Sequence, residues 1–182
     1  MKQRLWLFFP CLAITCWLGM MLVHESGHML AALATGGTIQ HLEFPLLGFS
    51  RTDIAPNPHP LIIAWVGPSL GALIPLVFAL FLQTIRRPLY TANLLSGFCL
   101  LANGAYLAIG SLQHIGDAGD LLRQGTPLWS LIAAGIPLLA LGIYQWHTLG
   151  PRLGLGIRNK SIDTYVTAGS ATVLISLSLL VG

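Results

Sequence analysis

Of the 182 residues, 54% are hydrophobic and only 8% are Asp, Glu, Lys or Arg, and the mean hydropathy is +0.74. A soluble domain of this length needs a charged surface that this composition cannot supply, so the chain reads as a single integral membrane unit with no room for a separate soluble domain. The net charge of +3 comes from basic residues at the ends of apolar runs, which is a topology signal and excludes a nucleic-acid-binding surface.

Five apolar segments, about 5–35, 60–84, 89–112, 126–147 and 164–182, each approach the roughly 20 residues that cross a bilayer as a helix. The expected fold is all-α, with about five transmembrane helices in the lipid bilayer. The first segment opens like a signal peptide, basic and then apolar. No small-residue cleavage site follows and the apolar run continues to Thr35, so it is expected to stay as a span. Cys11, Cys16 and Cys99 all fall in apolar runs and read as small buried hydrophobes.

That first segment contains "HESGH", residues 24–28. His24 and His28 are four apart, one turn apart on one face of a helix, which is the spacing two imidazoles need to share a tetrahedral zinc ion. Glu25 follows the first histidine and can act as general base on a water at the metal without being a ligand. With six His and two Glu in the chain, an H-E-x-x-H match by chance has a probability of about 0.2%. Ionisable groups inside an apolar helix are expensive to bury, so they point to function.

Next comes "GGTIQHLEFPLLGFSRTDIAPNPHP", residues 36–60. The Gly-Gly pair stops the helix. Residues 38–44 and 49–54 then predict two short strands about a Pro45–Gly48 turn, a hairpin expected at the membrane surface with an edge strand open to an extended peptide.

A catalytic zinc needs a third protein ligand. Glu43 and Asp53 fall in the hairpin, and Asp163 in a distant basic loop. Asp117 and Asp120 stand in "HIGDAGDLL", just after the third apolar segment, where Gly110, Gly116 and Gly119 let the chain turn back. Asp117, between Gly116 and Ala118, is the preferred ligand, and Asp120 is the alternative. Asn103, in mid-span, is a candidate supporting residue or an interhelical hydrogen bond. His114 is a candidate partner for a carboxylate.

"HESGH" in an apolar helix, a hairpin-like loop, "AWVGPSLGA" in the next helix and a Gly-Asp-x-Gly turn after the third together resemble the site-2 protease family of intramembrane zinc metallopeptidases, over roughly residues 15–125. The resemblance implies a three-helix metalloprotease core with accessory helices over about 126–182. It implies one zinc per chain on His24, His28 and Asp117, with Glu25 as catalytic acid/base and a transmembrane protein or peptide as substrate. The family's Gly-Pro motif usually ends in Asn, where this chain has Gly71, and its aspartate usually follows an Asn-Pro approach, where this chain has "SLQHIGDAG". A compact, divergent member is therefore expected, in a bacterial cell (inner) membrane. The rival expectations are a metal-binding membrane assembly factor or chaperone, which would need no Glu25, and a histidine-cluster oxidase, which would need more histidines than six. Seven of the nine basic residues fall on one side if the N-terminus is cytoplasmic, which places the histidines nearer the outer face.

Overall fold

The computed structural model describes residues 2–86, 89–154 and 161–181, with side chains described for 8–86, 89–149 and 165–181. Of the nine basic residues behind the expected orientation, only Arg51, Arg86 and Arg123 have described side chains.

Helix α1 runs from Lys2 to Thr35. It ends at the Gly-Gly pair as expected. Gly36 has φ +79°, and the Gly37 N–H reaches back to the Ala32 carbonyl at 2.8 Å, closing the last turn in the way a left-handed glycine after a helix allows. Strands β1 (Ile39–Glu43) and β2 (Arg51–Ile54) pair antiparallel, Glu43 opposite Arg51 and His41 opposite Asp53. Pro60 in its first turn starts α2 (Pro60–Thr84), where a missing N–H costs nothing. Helix α3 (Tyr90–Ala108) leads through the single turn α4 (Gly110–Gln113) to the eight-residue α5 (Gly116–Arg123). Helices α6 (Leu128–Gly154) and α7 (Ser161–Val181) follow. Asp163, expected in a loop, belongs to the first turn of α7.

Four of these stretches, Phe8–Thr35, Pro60–Thr84, Tyr90–Gln113 and Leu128–Leu149, are long and apolar enough to cross a membrane. The apolar part of α7, Tyr165–Val181, is shorter. Helices α1, α2 and α3 pack on one another, with α6 against α3 and α7 against α1. Lipid offers no hydrophobic drive between helices, so close approach of small residues does the work. A Cβ on Gly27 would lie 2.9 Å from the Val66 carbonyl of α2.

The hairpin folds back along α1. Ile39 and Ile54 pack on Ala31, Ala32 and Ile63. Further down, Phe44 is buried with Leu18, Met21 and Leu174, and the Phe49 ring meets Trp17 at 5.8 Å. From Ala32 to Trp17 is about 22 Å along a helix. In the turn "FPLLGF", Leu47 and Phe49 are 88% and 80% exposed.

Candidate metal centre

His24 and His28 face the same way from the middle of the C-terminal half of α1, as their four-residue spacing requires. His28 lies flat against α2, and Gly67 makes the room, since a Cβ there would be 2.2 Å from the His28 ring. Asp117, from the first turn of α5, reaches the same point. Its Oδ2 is 2.9 Å from His24 Nε2 and 3.2 Å from His28 Nε2, and the two Nε2 atoms are 3.1 Å apart.

The outer nitrogens decide what this cluster can do. His28 Nδ1 is 2.9 Å from the Ile63 carbonyl oxygen, which only accepts, so Nδ1 carries the proton. His24 Nδ1 is 2.8 Å from Asn103 Oδ1. The Asn103 amide nitrogen is committed to the Cys99 carbonyl at 2.9 Å, so its oxygen faces the ring and His24 Nδ1 is again the donor. In neutral rings both Nε2 atoms therefore present lone pairs, and the third member is a carboxylate oxygen. Three acceptors converge at 2.9–3.2 Å with no proton left to share. A proton on one nitrogen would relieve one or two of these contacts, whereas a divalent cation relieves all three. Ligand atoms around a tetrahedral zinc lie about 3.3 Å from one another, given Zn–N and Zn–O bonds near 2.0–2.1 Å, so the spacing fits. His24, His28 and Asp117 are the group that could hold a metal ion among the described residues.

Burial pushes the Asp117 carboxyl up, and only where His24 and His28 carry protons in place of a cation do their hydrogen bonds and positive charge outweigh it and hold the group below the usual carboxylate range. A cation among the three groups would favour the same ionised form, which a ligand must have.

Glu25 is 4% exposed and both its oxygens accept from the hairpin. The Ser50 hydroxyl donates to Oε1 at 2.7 Å and the Thr52 hydroxyl to Oε2 at 2.6 Å. The folded-back hairpin is thus in contact with the site through Thr52 of β2 and Ser50 just before it.

The remaining expectations divide. Asn103 makes an interhelical hydrogen bond, as the simpler reading expected, and its partner is the candidate ligand His24. Asp120 pairs with Arg123 in the exposed part of α5 and is not among the three residues that converge. His114, left-handed with φ 55°, is exposed and its side chain makes no hydrogen bond among the described residues, so it supports nothing at the site. Cys16 and Cys99 are buried and free, and Cys11 is free and half-buried.

Three residues were not legible in advance. Ser50 and Thr52 carried a signal, a small hydroxyl at every second position of a predicted strand. Tyr106 also carried one, since it stands three residues after Asn103 on the same face of α3. Its hydroxyl accepts the Asp117 N–H at 2.8 Å, and its ring meets His24 edge-on, with centroids 5.9 Å apart.

No protein-family model, no curated protein and no solved structure matches the chain.

Proposed function

We propose that the protein is an intramembrane zinc metalloendopeptidase of the site-2 protease type, hydrolysing peptide bonds of membrane-spanning or membrane-associated proteins. The observation that carries the reading is the convergence of His24, His28 and Asp117 as a group that could hold a metal ion, beside a buried glutamate outside that group. Zinc held by such a set supplies Lewis acidity, making water a nucleophile near neutral pH and polarising a carbonyl.

The chain's own residues do the rest. Asn103 and the Ile63 carbonyl fix both imidazole tautomers, so each Nε2 stays available. Glu25, held by Ser50 and Thr52, takes a proton from the attacking water as the new C–O bond forms. It returns that proton to the leaving nitrogen as the C–N bond breaks. Where the family's Gly-Pro motif usually has Asn, Gly71 leaves space that the Asn103 amide occupies; a Cβ on Gly71 would be 3.0 Å from that amide. The apolar helices around the site exclude bulk water and suit a substrate that is itself in the bilayer.

One observation favours a second reading. Both Glu25 oxygens already have partners, which also suits a non-catalytic metal-binding assembly factor or chaperone in which Glu25 only anchors the hairpin. One experiment separates the two. Reconstituted wild type and Glu25→Gln are incubated with transmembrane segments tagged at both ends. The peptidase reading expects equal zinc in both proteins, and cleavage by wild type that falls by a factor on the order of 10² or more in the variant. Equal cleavage by both, or none by zinc-loaded wild type over a broad set of segments, leaves the assembly-factor reading.

A further inference from the structure

We propose that Tyr106 is a positioning residue for Asp117, the side chain that brings the third ligand group to the two histidines. The inference rests on the metal reading of the site and concerns how that site is assembled.

The two histidines share one helix, so their spacing follows from α1 alone. Asp117 has no such guarantee. The chain reaches it through His114 in the left-handed region and Ile115 in an extended conformation, then Gly116 at φ +52°. Buried Ala118 and Leu121 anchor the underside of α5 against Ala64, Leu107 and Leu131. That contact sets the height of the short helix, yet α5 could still rotate about its own axis and swing the carboxylate away.

Tyr106 stops that rotation. Its hydroxyl accepts the Asp117 N–H at 2.8 Å, taking one of the first-turn donors that a helix cannot satisfy internally. The same side chain lies edge-on against His24, so one residue of α3 touches both a ligand on α1 and the ligand on α5. The turn is shaped around the hydroxyl: a Cβ on Gly116 would lie 1.5 Å from it. Gly116 therefore answers to two demands, a positive φ and the closeness of Tyr106. Asn103, one turn earlier on α3, holds the far side of His24. Together the two residues make α3 the frame that joins His24 on α1 to Asp117 on α5.

Removing the hydroxyl leaves the Asp117 N–H without its partner and lets the carboxylate reorient. Loss of an outer-shell partner of this kind typically weakens metal binding about 10–100-fold. The test measures zinc affinity of detergent-purified protein by competition with a chelator, together with the visible spectrum of the cobalt-substituted form. Tyr106→Phe is expected to bind zinc about 10–100-fold more weakly than wild type, with an altered cobalt spectrum as the carboxylate ligand is displaced. Tyr144→Phe, on the exposed face of α6, is expected to match wild type in both. Should Tyr106→Phe fail to fold, Gly116→Ala, which pushes the hydroxyl away from the other side, decides in its place with the same expected loss. Wild-type affinity with an unchanged cobalt spectrum in Tyr106→Phe overturns the proposal alone, as does an equal loss in Tyr144→Phe. A wild type that binds no metal overturns the metal reading and this inference with it.

Discussion

Helix α1 carries two buried polar clusters, and they solve the same problem in opposite ways. Near its start, the Thr15 hydroxyl meets the Ser170 hydroxyl at 3.0 Å and the Thr167 carbonyl at 3.3 Å, while the Thr91 and Thr167 hydroxyls meet at 2.6 Å. About 14 Å further along the helix, His24 and His28 meet Asp117. In the first cluster the hydroxyls bond to one another and to the Thr167 carbonyl, so donors and acceptors meet within the group and tie α1, α3 and α7 together. The second cluster consists of acceptors, because its only protons, on the two Nδ1 atoms, are committed to Asn103 and Ile63. Both are polar groups inside apolar helices. What separates glue from a site is the balance of donors and acceptors, since unpaired acceptors in a low-dielectric setting call for a cation.

The sharpest way to break the comparison is to remove an acceptor. Asp117→Ala is expected to weaken zinc binding by more than about 100-fold, beyond the range for outer-shell losses, while Asp120→Ala keeps wild-type affinity because its carboxylate faces Arg123. Chelator competition on the two purified variants checks this. Loss of zinc in Asp120→Ala with retention in Asp117→Ala would place the third ligand wrongly.

A smaller effect is expected at the hairpin. The double variant Ser50→Ala, Thr52→Val removes both donors to Glu25 without touching a metal ligand. Zinc content should not change, and cleavage of a tagged transmembrane segment should fall about 10-fold or more. Full cleavage would mean that Glu25 needs no help from β2.

The smallest effect belongs to the hydroxyl cluster. Thr15→Val keeps the shape and deletes one donor, so stability should drop by about 1 kcal/mol while zinc affinity stays at the wild-type value. Denaturant titration in detergent beside the chelator assay reads both. A loss of zinc in Thr15→Val would show that the two clusters are coupled and that the contrast between them is false.

Much of this arrangement was legible in the sequence, and the limit is physical. His24 and His28 could be paired because a helix repeats every 3.6 residues, and the hairpin strands because turn residues separate two alternating runs. Asp117 could be preferred over Asp120 only by its glycine setting, since its bonds to the histidines span 93 and 89 residues. No local period reports such distances. The contact of the hairpin with Glu25 was hidden for the same reason, since it depends on Thr52, 27 residues away. Tyr106 was passed over because a tyrosine in a mid-span helix is unremarkable until its hydroxyl is seen to meet Asp117.

The central claim is that three proton-free acceptors share one metal ion. It is tested most directly by elemental analysis of protein purified without chelators, comparing wild type with His24→Ala and His28→Ala. The account predicts about one zinc per wild-type chain and loss of most of it in each variant, because two remaining protein ligands hold a catalytic zinc poorly. Wild type that stays free of metal even after incubation with zinc, or a histidine variant that keeps full occupancy, would contradict it.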